Sequence, residues 1–396
     1  MATASNTRRP RASVPRGGLR DFDTVQTKRA PMDLPFFLLV IMLLGIGVIM
    51  VLSASFASAY YDITRVTGGN PTHYFLRQAV FALVGVFAML VVSRFPSAFY
   101  RRIALPLMLG TIVLLVFVLL IGVEGGGATR WISLGFTTFQ PSEFAKPAVV
   151  FLFAHMACIY KDKMHSFRYG VLPFAIILVP IVGLLALQPH LSAIVIIASV
   201  GGMMMFLGGT RLVYFIVGLG GMVAFGYWFL QQFGHASARI IAWRNPDDDP
   251  LGAGWQILQS LYAIGSGGVL GLGLGASRQK FLYLPEEHND YIFAIVAEEL
   301  GFVGAGFILV LFSLLILRGF WIALHAKTKF ASLIAAGMSA MLAVQVFLNV
   351  GVVTNLLPPT GISLPFFSYG GTALLFQLAC MGVILGVSRE IPAKPM

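Results

Sequence analysis

Charge is scarce in this chain. Of 396 residues, 27 are Lys or Arg and 16 are Asp or Glu, so only 11% are charged, against about a quarter in an ordinary soluble domain. Together with 58% hydrophobic residues, that deficit excludes a soluble globular domain and leaves a polytopic membrane protein. Cysteine is nearly absent: Cys158 and Cys380 both fall inside apolar runs, which excludes a disulfide scaffold and points to buried, reduced thiols. Period-two alternation is missing too, and the apolar runs are longer than the ~9–11 residues of a barrel strand. A membrane barrel is excluded, and no strands are expected.

What is present is a series of long apolar segments. Ten are long enough, or nearly so, to cross a bilayer as helices: 34–56, 75–93, 103–123, 144–160, 171–187, 191–209, 212–230, 291–317, 332–356 and 366–387. The expected fold is an all-α membrane helix bundle of residues 34–390. It is preceded by a disordered, basic tail over 1–33 and followed by a short tail over 391–396. The apolar run 34–56 is a full span behind a long charged leader, which does not fit a secretory signal.

The basic residues set the orientation, because Lys and Arg are retained on the cytoplasmic side. With the N-terminus inside, 19 of the 27 fall on inner segments, so both termini are expected in the cytoplasm of a bacterial inner-membrane protein. Their scatter over short inner loops accounts for the net charge of +11 as a topology signal and argues against nucleic-acid binding.

One connection is long. Residues 231–290, between the seventh and eighth spans, form a large outer loop, the kind of segment that carries function in a compact bundle. Within it, Trp255, Leu258, Leu261 and Tyr262 stand at helical spacing and predict an amphipathic helix along the membrane surface. The stretch GSGGVLGLGLG at 265–275 lacks the G-K-[ST] ending of a phosphate loop and reads as a re-entrant loop packed close to other backbone.

The chemistry-bearing residues lie on the same side. The run 286–299 holds Glu286, Glu287, Asp290, Glu298 and Glu299, five of the 16 acids, where a polar loop enters an apolar helix. Carboxylates are expensive at membrane depth, which makes this run a functional-site candidate. Glu298 and Glu299 differ by about 100° around a helix and cannot both face the Asp290 side. Glu143 and Lys146 enter the fourth span at i,i+3 spacing and are expected to form an architectural ion pair. Pro189 breaks the chain between two spans and leaves Gln188 and His190 at the outer boundary. The Pro-Pro and Gly-Gly steps of 355–375 predict a re-entrant turn with Ser368 and Tyr369 at its tip.

These motifs, GATRWISLGFTTFQPSEFAK, QPHLS, GWQILQSLYAIGSGG, FLYLPEEHNDYIFAIVAEELGFVG and LLPPTGISLPFFSYGGTALL, occur in an order that resembles the SEDS family, the FtsW, RodA and SpoVE proteins of bacterial cell-wall synthesis. The outer loop at 54–78 and the long tail are more similar to the FtsW and SpoVE branch. The resemblance implies a peptidoglycan glycosyltransferase polymerising lipid II on the outer face of the membrane, serving septal wall synthesis and working with a class B penicillin-binding protein and other division proteins. It implies an essential Asp in a motif of the form H-T-D-F-I-F, here His288 to Phe293, so Asp290 takes the catalytic role. Asn289 replaces the usual Thr, and His190 stands where the family commonly has Asp.

Joining two lipid-linked sugars requires one base and several cations for the departing diphosphate. Asp290 is the expected base, and Arg130, Arg244, Arg278 and Lys280 are the expected phosphate contacts. His288 and Ser368 are further substrate contacts, and Glu143, Lys146, Gln188, His190, Glu298 and Glu299 are supporting polar groups. A divalent cation, magnesium or manganese, is a possible aid. The rival from another class is a lipid II flippase, but the charges within the spans all fall in their outer halves, where chemistry and not passage needs them.

Overall fold

The computed structural model describes residues 30–62, 67–125, 128–133, 135, 138–218, 220 and 242–391. Expectations for residues 1–29 and 392–396, and most of the expected span 212–230, lie outside this set. The helices are α1 (Leu34–Tyr61), α2 (His73–Val92), α3 (Ser97–Ile121), α4 (Pro141–Tyr160), the short α5 (Phe167–Gly170), α6 (Leu172–Leu187), α7 (Leu191–Gly208), α8 (Trp255–Gly267), α9 (Ile292–Leu324), α10 (Lys329–Val353) and α11 (Gly371–Ser388). Among the described residues nine segments are long and apolar enough to cross a membrane.

α4 and α10 are the most buried of these and form the centre. α3 and α7 pack on α4, α9 on α10, and α2 on α11. Pro106, Pro147 and Pro180 lie inside α3, α4 and α6, a tolerance usual for packed membrane helices. Both cysteines are free thiols.

The two ends of the bundle chain are stapled together. Asp33 caps α1 by accepting from the Phe36 amide at 2.9 Å and takes the Arg318 guanidinium in a two-pronged pair at 3.0 and 2.7 Å. Its own amide donates to Ser388 Oγ at 3.2 Å, and Ala30 N–H donates to the Arg389 carbonyl at 3.0 Å. Glu390 accepts from the amide and hydroxyl of Ser97 at the start of α3, both at 2.6 Å. Residues 30 and 389 therefore share one face of the bundle.

Two expectations are corrected. Strands do occur: β1 (Val123–Gly125), β2 (Ala128–Ser133) and β3 (Thr138–Phe139) form a small antiparallel sheet in the order β1-β2-β3 between α3 and α4. They are two to six residues long, too short for an alternation pattern to register. The amphipathic helix exists as α8, but it buries Ile257, Leu258, Ala263 and Gly267 against α9 and leaves Tyr262 exposed. The buried face is rotated because Gly267 and Ala263 permit the close approach: a Cβ on Gly267 would lie 2.1 Å from the Ala297 carbonyl oxygen.

The Gly-rich loop after α8 docks on a break in α9. Gly301 has φ 67° and ψ −173° inside that helix, a conformation open to glycine alone. The break frees backbone groups at membrane depth, where each must find a partner. The loop supplies them: Leu272 and Gly273 donate to the carbonyls of Glu298 and Glu299 at 3.0 Å, and the amides of Phe302 and Val303 donate to Gly268 and Val269 at 2.9 and 3.1 Å.

Candidate active site

A cavity of about 1520 Å³ opens among the start of α2, strand β2, the start of α4, the 189–193 junction, the 286–291 segment and the 359–373 turn. Asp290, Arg130, Glu143, Lys146 and His190 line it, as expected from sequence, and so do Arg77, Glu286, Gln140, Gln256 and Tyr369. Its lining includes the carboxylates Asp290, Glu286 and Glu143 and the cations Arg130, Arg77 and Lys146.

Asp290 sits two residues before α9, at the end of a loop pinned to the 364–370 turn. Tyr369 N–H donates to the His288 carbonyl at 2.9 Å, and Ser368 Oγ donates to the Asn289 carbonyl at 2.7 Å while accepting from Leu364 N–H at 2.7 Å. Gln78 of α2 holds this turn from behind, donating to the Ser368 carbonyl at 3.1 Å and accepting from Gly370 N–H at 3.3 Å. Burial, with a smaller push from the neighbouring Glu286, raises the Asp290 carboxyl from 3.8 to about 6; Arg130 and His288 oppose the rise. A carboxyl of that acidity is a competent general base near neutral pH.

Arg130 lies on β2 and not in a loop. Its guanidinium donates to the Gln188 carbonyl at 3.4 Å and to the Pro189 carbonyl, which aims it into the cavity and fixes the junction between α6 and α7. Gln188 is buried and donates to the Leu115 carbonyl at 2.9 Å, so its side chain is structural.

His190 Nε2 is 2.6 Å from the Gln140 amide nitrogen and 3.2 Å from Ser142 Oγ, and its Nδ1 is 3.4 Å from Ser192 Oγ. Burial, Arg130 and Lys146 lower its pKa to about 3. The ring is therefore neutral at physiological pH, accepts from Gln140 through Nε2, and carries its proton on Nδ1. Lys146 Nζ pairs with Glu143 at 2.7 Å. Both line the cavity, although their side chains are only 5% and 14% exposed.

Five expected contacts do not line the cavity. Arg244 and Arg278 are exposed elsewhere. Lys280 is 3% exposed and reaches Glu299 at 3.0 Å, Ser53 Oγ at 3.2 Å and the Gly275 carbonyl at 2.6 Å. Its charge is thus spent on a buried acid. His288 stands beside the cavity, 3.3 Å from Glu287 and with its ring 4.7 Å from Tyr74. Ser368 has its hydroxyl fully engaged in the backbone tether described above.

Glu298 and Glu299 are both structural: Glu298 accepts from Ser277 Oγ and from the amides of Arg278 and Gln279, and Glu299 accepts from Ser53 and Lys280. Arg77 was the omission with a readable signal, a cation in the first turns of a helix end expected on the outer side, against the positive-inside bias. Among the described residues no three His, Cys, Asp or Glu gather as a metal site, so no cation ligand is assigned.

Residues 34–392 match the family described as "Cell cycle protein", that of FtsW, RodA and SpoVE. The chain is 40% identical to the probable peptidoglycan glycosyltransferase FtsW of Trichlorobacter lovleyi, over 93% of this chain and 96% of that one. It is 41% identical to stage V sporulation protein E of Bacillus subtilis, over 92% and 98%. Among solved structures, a chain described under "Structural coordination of polymerization and crosslinking by a peptidoglycan synthase complex" superposes with a TM-score of 0.75 at 29% identity, covering 90% of this chain and 98% of that chain. The rod shape determining protein RodA of Thermus thermophilus superposes with a TM-score of 0.66 at 27% identity, over 92% and 98%. On sequence and fold alike, this chain belongs to the FtsW, RodA and SpoVE family.

Proposed function

We propose that the chain is a peptidoglycan glycosyltransferase that polymerises lipid II into glycan strands during septal wall synthesis. The observation that carries this reading is the Asp290 carboxyl, raised to about 6, opening on the same cavity as Arg130, Arg77 and Lys146. A base and several cations lining one space are what glycosyl transfer from a diphosphate requires.

In this reading the acceptor's sugar hydroxyl attacks the anomeric carbon of the donor and gives its proton to Asp290. The bond from that carbon to the diphosphate oxygen breaks, and the lipid diphosphate leaves with one more negative charge. Arg130, Arg77 and Lys146 meet that charge in a space partly shielded from water. A divalent cation, magnesium or manganese, would add counter-charge for the diphosphate. The described residues do not build a pocket for it by themselves.

The excess of Lys and Arg near the shared face of residues 30 and 389 supports a cytoplasmic position for that face. The cavity then opens on the outer side of the cytoplasmic membrane. A class B penicillin-binding protein is the partner that would cross-link the strands made here, and the named complex among the similar structures supports a partner of that kind.

The test is reconstitution with that transpeptidase in liposomes carrying lipid II in one known leaflet. Polymer is expected only from lipid on the Asp290 side, without movement between leaflets. Lipid movement without polymer would replace this reading with a flippase.

A further inference from the structure

The Asp290 carboxylate sits in a slot between two chain segments, and a single side chain holds both. Asn349, on α10 and 1% exposed, donates from Nδ2 to the carbonyl of Asp290 at 2.8 Å and to the carbonyl of Ile362 at 2.6 Å. The first bond fixes the residue that carries the carboxylate. The second fixes the loop on its far side. There Gly361, at φ 70°, lies so close that a Cβ would stand 3.1 Å from Asp290 Oδ2.

The tether is the last of a continuous set. The carbonyls of His288, Asn289 and Asp290 are held in turn by Tyr369 N–H, Ser368 Oγ and Asn349 Nδ2. The donors for 288 and 289 come from the 368–369 turn, which Gln78 braces. The donor for 290 comes from a central helix, α10. Both amide hydrogens of Asn349 are used on backbone, and its Oδ1 is buried without a partner. A buried acceptor left unsatisfied costs roughly 1–3 kcal/mol, so the amide is kept against that cost for what its nitrogen does.

We propose that Asn349 is a positioning residue for the transfer reaction, setting the depth at which the Asp290 carboxylate enters the cavity by clamping Asp290 and Ile362 together. The proposal rests on the reading of Asp290 as the general base. The groups facing Asp290 are Glu286, which raises its pKa, and Arg130 and His288, which lower it; Asn349 bonds none of them. Its loss therefore acts through burial. With the clamp gone, the 358–364 loop and the 288–290 segment part, water reaches the carboxyl, and its pKa falls from about 6 toward 3.8.

The test compares full-length wild type, Asn349→Leu and Gly361→Ala in proteoliposomes with the transpeptidase partner. Leu keeps the volume and removes the donors. Asn349→Leu is expected to lower kcat by about 10²-fold, as a 1 Å misplacement of a catalytic group does, with KM little changed. The acid limb of its kcat/KM profile should move to lower pH. The same shift is read without turnover, from the pH dependence of carbodiimide labelling of Asp290 measured on the Asp290 peptide by mass spectrometry.

Gly361→Ala pushes the same carboxylate from the opposite side and should lower kcat with the same flat KM, which decides the matter if Asn349→Leu does not fold. The proposal is overturned by wild-type kcat in either variant. A loss of activity in proportion to lost folded protein, with the labelling curve unmoved, overturns it equally. Absence of polymer from wild type would remove the polymerase reading alone, since the labelling curves still report the clamp.

Discussion

Replacing Lys280 by Met tests whether this cation serves the fold or the substrate. Its ammonium is 3.0 Å from Glu299, with side chains 4% and 0% exposed, and Ser53 and the Gly275 carbonyl complete its shell. Removing one member of such a pair leaves an uncompensated buried charge and costs about 3–5 kcal/mol. With an unfolding entropy on the order of 2 cal/mol/K per residue, a chain of 396 residues loses about 1.3 °C per kcal/mol, or about 4–6 °C in all.

Thermal unfolding in detergent reads this directly, with polymerisation of lipid II measured in parallel. Removing both charges, as Lys280→Met with Glu299→Gln, should recover at least half of the loss, because the amide still accepts from Ser53. Specific activity per folded molecule should stay near wild type in the double variant. A melting temperature unchanged by Lys280→Met, together with lost polymerisation, would refute the reasoning and return Lys280 to the phosphate contacts.

Asp290→Asn should reduce polymerisation by about 10²-fold or more, as measured with purified protein and its partner, and wild-type rate should fall as pH drops through about 6. Because the folded chain raises the Asp290 pKa, ionisation opposes folding as pH rises from 3.8 through about 6; Asp290→Asn should therefore melt above wild type at pH 7 and equal to it at pH 3. For the pair of Glu143 and Lys146, either Glu143→Gln or Lys146→Met alone should lower the melting temperature, and the double change should recover part of it; unchanged melting with lost activity would make the pair catalytic.

The spans were legible because membrane depth leaves only one way to satisfy backbone, and ten apolar runs announce it. Asp290 was legible for a related reason: an acid at the junction of a polar loop and an apolar helix has few structural excuses. Lys280 was not, since a cation at the membrane boundary looks the same in sequence whether it faces a cavity or an acid 19 residues later. Asn349 carries no charge and lies in apolar company, and only the convergence of distant segments shows what it holds. The face of α8 was misplaced because glycine and alanine, which score low as apolar residues, are the ones that permit close packing on α9.

The staple between Asp33 and the end of α11 has a consequence for biogenesis. Asp33 emerges first from the ribosome, yet its guanidinium partner lies 285 residues later and its hydroxyl partner 355 residues later. The first helix therefore enters the membrane with a capped end but without its lock, since Arg318 arrives only with α9 and Ser388 only with α11. Synthesis of Ser388 and Arg389 supplies the remaining partners. The bundle closes like a ring whose clasp is forged late, so a chain that stalls before Ser388 is inserted but unfastened.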